Sequence, residues 1–451
     1  MDRRHFLRHA GALGGGAALA QLGLLSARAQ TAPSDYKALV CLFLYGGNDS
    51  NNTLVPIDSA GYASYAAARG PLALAQGSLL PLVEAGGAAN FGLHPALGGT
   101  TGLQALWTSG QLAVVRNVGT LVEPLTKAQY LSAGAAKPAS LFSHIDQQHQ
   151  WQASLSAAPA DTGWGGRLAD QLASLNAGAS VPAMISTAGN NLFVTGRATK
   201  ALTVPTTGSF GLRGFDNSTA GIARLAALKA LLGVDRGPDL LDAAQDVMTG
   251  AIASSAVLNP ILTNTTTAAS GYFTGLTSTL AKQLLAVAKL IEARASLGAQ
   301  RQVFLVSLGS FDTHTNELNA HDLLYAELGV ALKAFHDAMT GIGAAQQVTS
   351  FTLSDFSRTY KPNTNGGTDH AWGAHHFVAG GAVKGGAFYG TMPALALGGP
   401  DDEGSEGRWI PTTSVDQYAA TLASWFGVDA AGLASVLPNI AAFSPAGLGF
   451  V

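Results

Sequence analysis

The chain has 451 residues, 47% of them hydrophobic and 12% charged, with a formal net charge of -3. This length is enough to bury a large core, as one α/β domain or as two domains. The near-neutral charge and the absence of a basic run after residue 29 exclude the electrostatic surface of a nucleic-acid-binding protein. After that residue there is also no apolar stretch of about twenty residues, so no stable membrane anchor is expected.

The N-terminus has the pattern of an export signal. Arg3 and Arg4 form a twin-arginine pair, a mildly hydrophobic Gly/Ala-rich stretch follows at residues 10–25, and small residues precede Gln30. Residues 1–29 are therefore predicted to be a twin-arginine signal peptide. The twin-arginine translocase is the expected partner during export, and the destination is periplasmic or secreted in a bacterium.

The mature chain, residues 30–451, alternates predicted strands and helices. A continuous apolar run at 38–45 predicts a buried strand that contains Cys41, the only cysteine, so no internal disulfide is possible. Further strands are predicted at 112–118, 303–308 and 348–353, and amphipathic helices at 279–297, 323–339 and 417–426. This alternation predicts an α/β fold with a mostly parallel sheet and helices on both faces. The weakly periodic region at about 153–278 is predicted to form an inserted lobe with helical patches.

Polar side chains follow three of these strands. Asp49 follows the first strand, Asp312 and His314 follow the third, and Asp355 follows the fourth. Ligands in parallel sheets bind at the carboxyl ends of the strands, so these side chains are expected to converge on a metal. A capping role is the alternative for Asp49 and for Asp355. Arg358 is expected either to pair with Asp355 or to hold a substrate oxyanion.

A glycine-rich loop adds more ligands of the same kind. Asp369 and His370 are adjacent, and His375 and His376 open the next strand. Neighbouring residues of a strand face opposite sides, so one of these two histidines is expected in the site and the other in a packing or supporting role. Imidazole and carboxylate together predict one or two divalent metal ions, with zinc, manganese and iron as candidates.

Ser143 is the candidate nucleophile. It precedes the segment HIDQQHQW, which can begin a helix, so its hydroxyl is expected either near a metal or as an ordinary N-cap. The motifs G-x-S-x-G, H-E-x-x-H and the P-loop are all missing from the sequence. A serine esterase, a zincin and an NTPase therefore lack their local signatures.

Several segments together resemble the exported bacterial family called domain of unknown function 1501. They include LYGGNDSNNTLVP, FGLHPAL, SHIDQQHQW, TGWGGR, SLGSFDTH, SDFSRT and GTDHAWGAHHFVAGGAVKGG. That family is similar in fold to the alkaline phosphatase and sulfatase superfamily, whose members hydrolyse phosphate or sulfate esters with one or two metal ions. The resemblance implies an alkaline phosphatase-like fold.

The resemblance also implies roles for individual residues. Asp312, His314 and either His375 or His376 resemble the ligands of a first metal. Asp49 resembles a ligand of the second metal, with either Asp355 or the pair Asp369 and His370 completing that site. Ser143 lies where a nucleophile is expected.

The metal-ligand pattern and the export signal, together with what the resemblance implies, predict an exported metal-dependent hydrolase of phosphate or sulfate esters. Its substrate is a small molecule or a polymer, and Ser143 and Arg358 are its predicted catalytic residues. The alternative is a non-catalytic secreted metal-binding protein that binds a partner or a polymer through its inserted lobe. The two predictions differ at the metal, because a catalytic site keeps an open coordination position and a structural site is closed by protein ligands.

Overall fold

The computed structural model describes residues 36–84, 86–212, 215, 218–234 and 239–451. The predicted signal peptide lies outside these residues. Among the helices of the described ranges, none combines the length and the apolar character needed to cross a membrane.

The described strands form a nine-stranded sheet and a three-stranded antiparallel sheet. In chain order they are β1 (Lys37–Leu44), β2 (Leu54–Pro56), β3 (Leu80–Val83), β4 (Ala89–Leu93), β5 (Leu112–Gly119), β6 (Met184–Ser186), β7 (Leu202–Thr203), β8 (Arg301–Leu308), β9 (Val348–Ser354), β10 (Ala374–Gly380), β11 (Ala387–Tyr389) and β12 (Thr413–Ser414).

The α-helices vary from one turn to seven turns. In chain order they are α1 (Ser50–Thr53), α2 (Ser59–Arg69), α3 (Leu103–Thr108), α4 (Lys127–Tyr130), α5 (His144–Ala153), α6 (Trp164–Gln171), α7 (Thr219–Leu232), α8 (Asp239–Thr263), α9 (Thr279–Glu292), α10 (Glu317–Gly341), α11 (Val415–Phe426) and α12 (Ala430–Val436).

The large sheet has the order β11-β5-β10-β9-β1-β8-β6-β7, and β12 also pairs with β5. The central strand β1 is parallel to both of its neighbours, β8 and β9. β10 runs antiparallel to β5 and β9. The sheet is therefore mixed but mostly parallel, which confirms the predicted α/β class.

The large sheet is covered on both faces, and β1 shows why its sequence is continuously apolar. Val40 and Leu42 belong to one buried core, which also contains side chains of α9 and α10. Cys41 and Phe43 belong to the other core, which contains side chains of α6 and α11. Because both faces of the strand are buried, neither set of alternating side chains is polar.

The principal predicted elements match β1, β5, β8, β9, α9, α10 and α11. The largest difference is the start of α10, which begins at Glu317 and not near residue 323. The first turns of this helix are largely polar, so the apolar periodicity that predicted it begins only later.

The region predicted as an inserted lobe is partly integrated into the main fold. Its strand β6 pairs with β8 and so extends the large sheet, and β7 pairs with β6. These strands are only three and two residues long, too short to give a periodic signal. Its helix α6 buries Trp164 in the second core.

The carboxyl ends of β1, β8 and β9 are held close together. The Ser354 hydroxyl donates to the Leu44 carbonyl at 2.8 Å and accepts from the Asn48 amide at 2.9 Å. Gly46, with φ of 112°, lets the turn after β1 approach the loop after β8, because a Cβ atom here would lie 2.5 Å from the Asp312 nitrogen.

Candidate metal centre

Three histidines and one aspartate converge beyond the carboxyl ends of β8 and β9. Nε2 of His370 lies 3.1 Å from Nε2 of His144 and 3.2 Å from Nε2 of His314. Carboxylate oxygens of Asp312 lie 3.0 Å from Nε2 of His314 and 3.4 Å from Nε2 of the other two histidines. Ligand atoms around a tetrahedral zinc ion stand about 3.3 Å apart, given bonds of about 2.0–2.1 Å. The ligand atoms of His144, Asp312 and His370 all lie within 4.8 Å of one another, so the spacing of these three groups fits a single metal ion.

Each of the three imidazoles is held through its other nitrogen, Nδ1. His144 donates to a carboxylate oxygen of Asp355 at 2.7 Å, and His314 donates to a carboxylate oxygen of Asp369 at 3.0 Å. His370 donates to the Phe142 carbonyl at 2.7 Å. A neutral imidazole that donates from Nδ1 carries its lone pair on Nε2. Three such lone pairs facing a carboxylate repel one another, so this donor set suits a cation.

Helix α5 positions His144. Ser143 is the N-cap of this helix and His144 is its first residue. Gln148 lies one turn further on the same face and donates from Nε2 to the same Asp355 oxygen at 2.8 Å. The other oxygen of Asp355 accepts from the Gly46 amide at 3.1 Å. The structure thus places buried Asp355 behind His144, with both of its oxygens bonded to protein donors.

Three of the converging groups have shifted pKa values. Burial by itself would raise the pKa of Asp312, but the hydrogen bond and charge of Arg358, with smaller contributions from His144 and His314, lower it to about 2. The hydrogen bond to Asp355 raises the pKa of His144. Burial lowers the pKa of His370. The centre therefore combines an ionised carboxylate with imidazoles of unequal basicity.

Arg358 is fully buried and holds this part of the structure together. Among the described residues, the carboxylate that it contacts is Asp312 and not Asp355. Its remaining donors bond to the backbone carbonyls of Gly46, Gly47, Phe311 and Thr368. The guanidinium therefore orients Asp312 and the strand-end loops, and its donors are already engaged by the protein.

Ser143 has the local geometry of a helix cap. Its hydroxyl accepts from the Asp146 amide at 3.5 Å, as an N-cap side chain does. In the described part of the chain it forms no hydrogen bond with the three imidazoles or with Asp312. The contact that the described residues give this hydroxyl is therefore that of a helix cap.

Asp49 lies in a separate buried group. It is the N-cap of α1 and forms an ion pair with Arg69, which also lies 3.4 Å from Glu317. Ligand atoms of Asp49, Glu317 and His321 come within 4.8 Å of one another, so their spacing alone would suit a metal. However, the Arg69 guanidinium already supplies positive charge to this group. Burial, followed by the nearby Asp49, raises the pKa of Glu317 to about 8.

His375 and His376 are both buried in β10, where the pairing of this strand with β5 is irregular between Ala374 and His376. Nδ1 of His375 accepts from the Asn117 amide at 3.0 Å, and Nδ1 of His376 lies 3.1 Å from the Thr352 hydroxyl. Burial lowers the pKa of each imidazole to about 3, so both are neutral. Within the described residues neither forms a hydrogen bond with the four converging groups, and both are packed inside the sheet.

The structure therefore brings together Asp312, His314 and His370, with Asp355 and Asp369 as supporting acceptors. It places Ser143, Asp49, His375 and His376 in other environments. Sequence reasoning did not identify His144 as a metal ligand. The available signal was its position at the start of α5, four residues before Gln148 on one helix face.

Sequence reasoning also missed Arg69, Glu317 and His321. Arg69 ends α2, whereas Glu317 and His321 lie in the first turns of α10, almost 250 residues away. Only the tertiary structure brings the three residues together.

Comparison with solved structures gives matches of low similarity. A crystal structure of Ps i-CgsB in complex with k-i-k-neocarrahexaose matches with a TM-score of 0.32 and 9% identity, over 88% of this chain and 74% of that chain. Wild-type alkaline phosphatase PafA and a PafA mutant each match with a TM-score of 0.27 and 11% identity, over 73% of this chain and 64% of theirs. The chain thus spans less than two thirds of PafA. TM-scores this low transfer no residue roles and no activity.

Comparison by sequence gives a clearer result. No curated protein matches the chain. The family model described as "Protein of unknown function (DUF1501)" matches residues 36–404, which confirms the resemblance of the sequence motifs. The chain belongs to the DUF1501 family.

Proposed function

We propose that this protein binds a divalent metal ion through His144, Asp312 and His370 and hydrolyses esters of phosphate or sulfate. One observation carries the proposal. The Nε2 atoms of the histidines converge with the Asp312 carboxylate while each Nδ1 atom is already bonded to an acceptor. Because this arrangement orients the lone pairs of the imidazoles toward one point, a cation there would relieve their repulsion.

The ligand set follows from the distances. One ligand atom from each of His144, Asp312 and His370 lies within 4.8 Å of the other two. Two imidazoles and one carboxylate suit zinc, manganese or iron and leave coordination positions open. When bound, such an ion polarises an ester oxygen and lowers the pKa of water.

We assign proton transfer to His314. Its side chain is 44% exposed, its Nδ1 donates to Asp369, and its Nε2 faces the ligand cluster. With Nδ1 bonded to a carboxylate, Nε2 can accept a proton from the attacking water and then return that proton to the leaving oxygen. The Asp312 side chain is 47% exposed, so an ester can approach these two residues from solvent.

The remaining residues hold these groups in place. Asp355 fixes the ring of His144, and the Phe142 carbonyl fixes the ring of His370. Arg358 holds Asp312 and also keeps its carboxylate ionised. These contacts fix the reacting groups before an ester binds, which reduces the cost of organising them during the reaction.

The competing function is a non-catalytic metal-binding protein. If His314 were a fourth ligand, three imidazoles and one carboxylate would close a tetrahedral site, as in structural zinc centres. The group of ligand atoms that lie within 4.8 Å of one another contains His144, Asp312 and His370 but not His314, whose side chain is 44% exposed, and this favours the open site.

Metal analysis of protein purified without chelator tests the ligand set. We expect about one equivalent in the wild type and loss of most of it in Asp312→Ala and His370→Ala. His149→Ala is a matched control, because His149 is an exposed histidine of the same helix as His144. Its metal content should equal that of the wild type. A wild type that holds no metal even after reconstitution would rule out the proposal.

Hydrolysis of aryl phosphates and aryl sulfates by the metal-loaded protein tests the reaction. We expect His314→Ala to retain the metal and to lose turnover by on the order of a hundredfold or more. Loss of metal in this variant would instead identify His314 as a ligand. A fully loaded wild type that hydrolyses neither ester class would support the non-catalytic function.

A further inference from the structure

The helical hairpin formed by α7 and the first half of α8 has an unusually apolar surface. Among the described residues, thirteen large hydrophobic side chains are exposed, and seven of them lie between residues 212 and 248. Ile222 is 59% exposed, Leu231 56% and Val247 67%. We call the surface formed by these seven side chains the hairpin patch. Such a concentration of apolar surface marks an interaction site.

Both helices of the hairpin keep an apolar sequence where they are not covered. In α7 the one buried residue is Gly221, although alanine and leucine make up most of the helix. In α8, Leu258 is fully buried in the main core, whereas Val247, three turns earlier, faces solvent. Because an apolar helix surface is stable when it is covered, the exposed apolar side chains of the hairpin indicate a further contact surface.

A groove of about 920 Å³ lies between the two helices. Its lining includes the apolar side chains of Leu225, Leu232 and Ile252. Lys229 of α7 and Asp246 of α8 also line it. The groove therefore combines an apolar floor with one charge of each sign.

We propose that the hairpin patch docks against the hairpin patch of a second copy of this chain. The described charged side chains of the two helices in this region are Arg224, Lys229, Asp242 and Asp246, two of each sign. In a two-fold symmetric dimer each contact occurs twice. If one residue of the first copy contacts another residue of the second copy, the same two residues also meet with the copies exchanged. Lys229 and Asp246 both line the groove. We propose that Lys229 of one copy pairs with Asp246 of the other, in which case the symmetry forms the same pair a second time and apolar side chains fill both grooves.

The balance of charges also distinguishes a second copy from a lipid surface. Helices that lie on membranes carry an excess of lysine and arginine on their polar face. The described charges of the hairpin patch sum to zero, which favours a self-complementary protein contact. This inference does not depend on the metal centre or on ester hydrolysis.

Sedimentation velocity of the purified chain over a concentration series tests the proposal. We expect a wild-type dimer at micromolar concentration and monomers for Leu231→Glu and Val247→Glu. Leu323→Glu is the matched control, because Leu323 is 76% exposed on α10, outside the hairpin patch. This control should remain dimeric. Far-ultraviolet circular dichroism would check that all three variants are folded.

A charge exchange tests the two-fold pairing. Lys229→Asp and Asp246→Lys should each weaken the dimer about tenfold, and the double variant should restore it. A wild type that remains monomeric at about 100 µM would overturn the proposal. A dimer that survives both Leu231→Glu and Val247→Glu would also overturn it. Binding of monomers to phosphatidylglycerol vesicles in a flotation assay would identify a lipid surface as the occupant instead.

Discussion

Asp355 accepts a hydrogen bond from Nδ1 of His144 at 2.7 Å, so the carboxylate orients an imidazole. Asp355 is fully buried, and Gly46 and Gln148 also donate to its oxygens. The side chain therefore lies behind the proposed ligands. Carboxylates in this position fix the ring orientation of a metal-binding histidine and raise its basicity.

Replacement of Asp355 by Asn should weaken metal binding while the fold is retained. The amide cannot offer His144 a negatively charged acceptor, so we expect metal affinity to fall by about 10–100-fold. Competition with a fluorescent chelator measures this change. Asp369→Asn is the paired control, because Asp369 orients His314, which we do not assign as a ligand. Equal losses of affinity in both variants would contradict the assigned ligand set.

Replacement of Ser143 by Ala distinguishes a helix cap from a nucleophile. If the hydroxyl only caps α5, the free energy of unfolding should fall by about 1 kcal/mol, with turnover within a few fold of the wild type. If it attacks the ester, turnover should fall by on the order of a thousandfold at unchanged metal content. Denaturant titration and an ester assay on the same preparation separate the two outcomes. The contacts of Ser143 lead us to expect the first.

Replacement of Arg69 by Met should strongly destabilise the protein. The change leaves the buried carboxylate of Asp49 without its cation, and breaking a buried ion pair costs about 3–5 kcal/mol. Urea unfolding measures this cost. Lys361→Met removes an exposed partner of Glu406 and should cost less than about 1 kcal/mol.

The same Arg69→Met variant also reports on a second metal. If the protein remains folded and binds one more equivalent than the wild type, then the Arg69 guanidinium occupies a latent ion site between Asp49, Glu317 and His321. If the Arg69→Met variant is as stable as the wild type, the buried ion pair does not stabilise the fold.

Asp416 should make the protein less stable as the pH rises toward neutrality. Burial raises the pKa of its carboxyl to about 7, against the opposing effects of the nearby Ser154 hydroxyl and the charge of Arg167. An unfolded aspartate has a pKa of about 3.9, so the folded state holds this proton more tightly. The resulting stabilisation is complete below about pH 4 and is lost as the pH rises through about 7.

The variant Asp416→Asn should not lose this contribution, because it stays uncharged. The free energy of unfolding of the variant minus that of the wild type should therefore be larger at pH 8 than at pH 5. Guanidinium unfolding of both proteins at the two pH values measures the difference. A difference between wild type and variant that does not change with pH would contradict a raised pKa for Asp416.

The sequence by itself determined the layered architecture and one edge of the site. Strands such as β1 are buried on both faces, so an uninterrupted apolar run was enough to identify them. Asp312, His314 and His370 were also identified from sequence, because each lies in a polar loop that follows or connects strands. In these cases the signal is local, and chain order preserves it.

Only the tertiary structure decided which polar residues meet. His375 and His376 are close to His370 in sequence, but β10 carries them into the sheet, where burial keeps them neutral. His144 comes from a helix more than 200 residues away and completes the centre through a contact that no local pattern records. Arg69 likewise reaches Asp49 from the end of another helix. Residue type and spacing indicate which side chains can bind a metal, but long-range packing determines which of their atoms face one another.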